Sequence, residues 1–150
     1  MRVVLQLVQS ASVDIDGVRV ASIEKGYLLL VSFTEGDDLT IAKKMADKIL
    51  KLRIFPDENG KTNRSLADVG GRILSVSQFT LYASAKEGNR PSFTHCMNKD
   101  EAKVLYEQFF DYLKSIHPEA ESGVFHADMK VALVNDGPFT LVLDSKELFA

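Results

Sequence analysis

The run MKVALVNDGPFTLVLD, Met129 to Asp144, sets two apolar segments, Lys130 to Val134 and Thr140 to Asp144, on either side of a polar insert. Read as a hairpin, the segments are neighbouring strands and Asp136-Gly137-Pro138 is their connection. Asp-Gly would suffice for a tight turn, because glycine supplies the positive φ that such turns need. Adding Pro138 removes a backbone donor and stiffens the tip. The tip is more rigid than turning requires, and that excess needs a reason.

Outward from this hairpin, the rest of the chain alternates in period. Val3 to Val8 is an apolar strand, and Ser12 to Asp14 leads into Asp16-Gly17, a two-residue hairpin signal. Val18 to Ile23 returns, Glu24-Lys25-Gly26 turns, and Tyr27 to Phe33 follows as a run apolar enough to be central and buried on both faces. Ile41, Met45, Ile49 and Leu52 then recur at helical spacing behind Asp37-Asp38, with Phe55-Pro56 as the stop and Asp57 to Arg64 as a polar loop. Ile73 to Tyr82 (ILSVSQFTLY) reads as the next strand, and Ala85 to Pro91 as a loop. Asn98 caps a second helix whose stripe is Ala102, Leu105, Phe109, Leu113 and Ile116, ended by His117-Pro118. The order is strands, strand–helix twice, then strands. That predicts a single α+β domain with two helices against a mainly antiparallel sheet.

Composition limits the function. The chain has 150 residues, 45% hydrophobic and 26% charged, enough for one full core. The single cysteine, Cys96, excludes an internal disulfide framework and fits a reducing cytoplasm, and no apolar stretch has signal or membrane length. The net charge of −3 argues against a large phosphate-binding footprint and leaves room for a small one. Lys44, Lys48 and Lys51 share a helix face, which reads either as a solvated face or as such a patch.

Few residues offer chemistry of their own. His95, His117, His126 and Cys96 have no zinc-site spacing, and no metal site is expected. There is no G-x-S-x-G, so a Ser-His-Asp hydrolase is a poor reading. His126 and Asp128 read as ordinary surface residues near a turn. Ser75, Ser77 and Phe79 alternate with Val76, Gln78 and Thr80, so polar side chains fall on both faces of a central strand. Such groups must find partners or line a cavity, which makes this stretch either a strand end or a pocket floor.

SQFTLY (Ser77 to Tyr82) and NDGPFT (Asn135 to Thr140) occur together with MRVV at the start, LRIFPDENGK at 52–61, DVGG at 68–71, RPSF at 90–93 and ADMKVALVNDGP at 127–138. On these residues the chain resembles the D-aminoacyl-tRNA deacylase family nearly end to end. The resemblance implies a cytoplasmic homodimer, one domain over 1–150, without cofactor. Its expected reaction is hydrolysis of the ester between a D-amino acid, or glycine mischarged on tRNA(Ala), and the 3′ end of tRNA. It implies that Gln78, Phe79 and Thr80 are catalytic and that Ser77, Met129, Gly137 and Pro138 bind substrate. The Gly-Pro pair would be cis and would reach into the pocket of the other subunit. There its carbonyls would hold the substrate ammonium, and its backbone would leave no room for an L side chain.

The resemblance is broken at one place. Family members commonly carry Q-R-V-x-R-A-S-V, whereas here Gln6-Leu7-Val8-Gln9-Ser10-Ala11-Ser12-Val13 lacks both arginines. If the first normally braces the Gly-Pro tip, Leu7 removes that brace. A trans Gly-Pro relative acting on L-alanyl-tRNA, a non-catalytic RNA-end-binding module and a hydrolase of small esters are the competing expectations.

Overall fold

The spine of the molecule is an unusually long first strand. In the computed structural model, which covers residues 1–150, β1 (Arg2–Ile15) pairs antiparallel with three other strands. Asp16 and Gly17 both take positive φ (49° and 77°), as a type I′ turn demands, and return the chain into β2 (Val18–Ile23). β3 (Gly26–Ser32) pairs with Arg2 to Val8 of β1 and is buried on both faces except at Leu30, as its apolar run predicts. α1 (Leu39–Lys51) starts at Asp38, whose carboxylate accepts the Ile41 N–H at 3.0 Å, and ends with Lys48 and Lys51 near the negative end of its dipole.

The stretch expected to be a helix end and polar loop is more structured than that. β4 (Arg53–Pro56) and β5 (Thr62–Ser65) form a separate two-stranded sheet. Asp57 closes their turn by accepting the Asn59 and Lys61 amides, both at 2.9 Å. The short α2 (Leu66–Val69) follows, with Ser65 and Asp68 capping each other's backbone. β6 (Arg72–Ser77) then lies beside β3.

β6 runs parallel to β3, and the two-residue β7 (Glu121–Ser122) runs parallel to β6, so the main sheet is mixed rather than wholly antiparallel. Its order is β2-β1-β3-β6-β7, with the last strand, β8 (Lys130–Asp144), on the free side of β1. α3 (Lys99–Ile116) packs beside α1 on one face, and α4 (Ser145–Leu148) closes the chain. Val3, Leu5, Leu7, Tyr27, Leu29 and Val31 meet Met45 and Ile49 of α1 and Phe109 and Leu113 of α3 in the larger core. A smaller cluster, including Val8, Val13, Leu28, Leu74 and Val76, occupies the other face. Ile116, expected in the stripe of α3, is 39% exposed; the buried stripe stops one turn earlier at Leu113.

Two strand assignments change in ways that matter for function. The strand read as Ile73 to Tyr82 ends at Ser77, and Phe79 to Tyr82 coil into a single 3-10 turn. More consequentially, Lys130 to Asp144 is not a hairpin. It is one strand, antiparallel to β1 from Asp14↔Lys130 to Arg2↔Asp144. Asp136-Gly137-Pro138 does not reverse the chain; it is extruded from it. Leu7 alone on β1 faces the four residues between Asn135 and Thr140, so the insert forms a large bulge. A single glycine shows how tightly the sheet is set. Gly26 has φ +157°, and a Cβ there would lie 1.8 Å from the Arg72 carbonyl oxygen.

Candidate active site

The 3-10 turn is docked on the end of β3. The Gln78 N–H donates to the Val31 carbonyl at 2.8 Å, extending the β3–β6 pairing one step past Ser77. From there the first amide bond inside the turn is Leu81 N–H to Gln78 C=O, and no side chain caps the turn. The Phe79 and Thr80 amides precede that bond and have no partner within the turn. The Gln78 side-chain amide donates to Thr80 Oγ1 at 2.5 Å. No carboxylate or imidazole hydrogen-bonds this hydroxyl.

Ser77, Gln78 and Phe79 lie along a cavity of about 490 Å³ that Val76, Phe125, Met129 and Val131 also line. The polar strand end is therefore also the lining of a cavity, of a size typical for small-molecule sites. Lys99, at the start of α3, adds a cation to the lining. Thr80, Gly137 and Pro138 are not among the lining residues.

His126, Ala127 and Asp128 also line the cavity, although sequence reasoning placed the His-Asp pair on an ordinary surface turn. His126 has φ +67°, uncommon for a residue with a side chain. A wall of this kind leaves little trace in sequence, since only the fold brings residues 125–129 beside β6. The wall is backed by a buried polar chain: Tyr106 Oη lies 3.0 Å from Ser75 Oγ and 2.8 Å from Ser122 Oγ. Burial raises the Tyr106 pKa despite these partners, so it is a neutral phenol that fixes the wall rather than a base.

A second concavity of about 480 Å³ separates the N-terminal ends of α1 and α3, lined by Asp37, Asp38, Asp100 and Glu101. Four carboxylates would repel a phosphate-bearing ligand, which directs attention to the cavity beside the 3-10 turn.

The bulge lies apart from this cavity. Its Gly137–Pro138 peptide is cis, Gly137 has φ +128°, and Asp136, Gly137 and Pro138 are all exposed. Its neck is tied through the side chains of Asn135 and Thr140. Asn135 Oδ1 accepts the Phe139 N–H at 3.0 Å, and Asn135 Nδ2 donates to Thr140 Oγ1 at 3.0 Å. Leu7, at the position where the resemblance led to an expectation of arginine, is 5% exposed and packs into the helix-side core, with no polar contact to the bulge. In this chain Asn135 and Thr140 tie the neck.

Among the comparisons with known proteins, the family model described as D-Tyr-tRNA(Tyr) deacylase matches residues 4–144. A D-aminoacyl-tRNA deacylase of Lactobacillus acidophilus is 60% identical over 144 residues, covering 96% of this chain and 99% of that protein. One of Thermomicrobium roseum is 54% identical, covering 99% and 96%. Among solved structures, the c-Myc DNA Unwinding Element Binding Protein superposes with a TM-score of 0.90 at 36% identity, covering 96% of this chain and 98% of that one. A probable eukaryotic D-amino acid tRNA deacylase has the same fold, with a TM-score of 0.84 at 18% identity over 95% of this chain and 98% of that one. Fold and sequence together define a hydrolase of the aminoacyl-ester class. The chain belongs to the D-Tyr-tRNA(Tyr) deacylase family.

Proposed function

We propose that this protein removes D-amino acids from tRNA in the cytoplasm, and glycine from mischarged tRNA(Ala), as a homodimer whose pockets are each completed by the partner subunit. One observation supports the shared site above all. The cavity beside Ser77, Gln78 and Phe79 and the exposed Gly137-Pro138 bulge are separate features of one chain, and the bulge does not line the cavity. A two-fold dimer brings such halves together twice, reciprocally.

In this reading the cavity takes the 3′-terminal adenosine and its aminoacyl group. The Gly137 and neighbouring carbonyls of the partner accept the α-ammonium. Their backbone occupies the volume an L side chain would need, while a D side chain points outward and glycine has nothing to exclude. A water oxygen attacks the ester carbonyl, and the negative charge that develops on the carbonyl oxygen is met by the free Phe79 and Thr80 N–H groups. The tRNA 2′-hydroxyl, next to the scissile ester, relays the water proton to the departing 3′-oxygen. The products are a free amino acid and an uncharged tRNA. The Thr80 hydroxyl already accepts from Gln78 and touches no base, which disfavours it as a nucleophile. Ser77 and Met129 shape the cavity around the substrate.

The deciding assay incubates the protein with D-tyrosyl-tRNA, L-tyrosyl-tRNA and a free D-tyrosine ester. Release from the first alone is expected. Cleavage of the free ester at a comparable rate would point to a general esterase, and no release from any would leave an RNA-end-binding module.

A further inference from the structure

The Phe79 carbonyl is held by two side chains from distant parts of the chain. Ser32 Oγ, at the end of β3 and 2% exposed, donates to it at 3.2 Å. Cys96 Sγ donates to it at 3.3 Å. Both donors are themselves fixed. Ser32 belongs to the central strand. Cys96 sits in a segment fastened to the continuation of β3: Thr34 Oγ1 donates to the His95 carbonyl at 2.5 Å, and the Met97 N–H donates to the Phe33 carbonyl at 3.1 Å.

A carbonyl and the N–H that follows it belong to one rigid planar unit and point in opposite directions. Drawing the Phe79 carbonyl inward onto Ser32 and Cys96 therefore turns the Thr80 N–H outward, away from β3. Two donors on the carbonyl also polarise the amide and strengthen its N–H as a donor. We propose that Ser32 and Cys96 are positioning residues that aim the Thr80 N–H at the reacting ester. The proposal rests on the function proposed above, in which that N–H receives the developing oxyanion. Cys96 acts here as a neutral thiol, since burial raises its pKa and a thiolate could not donate. The sequence offers no other cysteine, so the contact is a single-residue feature open to direct substitution.

The test uses the full chain and four variants: Ser32→Ala, Cys96→Ala, both together, and Cys96→Ser, which restores a donor. The first readout needs no substrate. The ¹⁵N–¹H resonance of Thr80 responds to hydrogen bonds on the preceding carbonyl, so it should shift in each alanine variant and further in the double. It should return toward wild type in Cys96→Ser. The second readout is kcat on D-tyrosyl-tRNA. Each alanine variant should lose roughly 3- to 10-fold, with KM unchanged, and the double more than about tenfold, since a misaimed donor loses part of what a deleted one loses. Should Ser32→Ala fail to fold, the partly buried Cys96 position still decides the matter through its alanine and serine variants. An unmoved Thr80 resonance would overturn the proposal, as would a kcat loss that Cys96→Ser does not repair. A wild-type protein inert toward D-tyrosyl-tRNA would sink the proposed function instead, and the resonance would still report whether the two donors hold the amide.

Discussion

Thr80 enters the proposed function through one of two groups, a hydroxyl or an amide, and they make opposite predictions. The hydroxyl is engaged by Gln78 and has no base. Thr80→Ala should therefore keep D-tyrosyl-tRNA cleavage within about tenfold of wild type, whereas removal of a true nucleophile costs on the order of 10⁴-fold or more. Single-turnover kinetics separate the two. Asn135 offers a different lesson, because its two bonds close the neck of the Gly-Pro bulge. Under the proposed function, in which the bulge excludes the L side chain, Asn135→Ala should leave the rate on the D-substrate within a few-fold and raise cleavage of L-tyrosyl-tRNA by roughly tenfold. The ratio of D to L cleavage is the measurement, and an unchanged ratio would mean that the bulge holds its shape without this tie.

At the scale of elements, Gly26 and His117 give the clearest expectations. Gly26→Ala forces a methyl onto the Arg72 backbone where β3 begins beside β6. It should destabilise the fold by about 3 kcal/mol or more, through overpacking added to an unfavourable φ, and denaturant unfolding will show it. His117 ends α3, and burial lowers its pKa, with its Nε2 lacking a partner. The unfolded chain then takes up this proton at higher pH than the folded one. Stability should be unaffected by this group above about pH 6.5, and should fall as pH drops from there toward the lower folded pKa. His117→Gln should flatten that part of the stability–pH curve. The helices that frame these residues were legible in the sequence, since 3.6-residue stripes and Asp38 and Asn98 caps are local signals. β8 was not. Asn135 to Pro138 has the chemistry of a turn, and only a partner strand as long as β1 makes the chain continue straight past the insert. The polar side chains of Ser77 and Gln78 left two readings open, strand end or pocket floor, and both hold: the strand ends at Ser77 and Ser77 to Phe79 line the cavity. The 3-10 turn and the 125–129 wall were not legible, because β3 and α3 impose them from a distance.

For the whole molecule, the halves of the site must meet between subunits if the proposed function holds. A dimer combining Phe79→Gly in one subunit with a Gly137- and Pro138-altered partner has one pocket damaged twice and one intact. Such mixed dimers should recover about half of the wild-type, D-selective activity, while neither parent homodimer shows it. Mixed dimers, once confirmed, that cleave no better than the parents would place the bulge in its own subunit's site. The long β1–β8 ladder has a further consequence, in time rather than space. It joins Arg2 to Asp144, 142 positions apart, so during synthesis β1 waits for β8. At ordinary rates of synthesis that wait is on the order of ten seconds, during which one edge of β1 stays open. The strand that ends the wait is also the one that carries Gly137 and Pro138. Under the proposed function that pair excludes the L side chain, so a nascent chain gains this part of the site only with the strand that lets the sheet close.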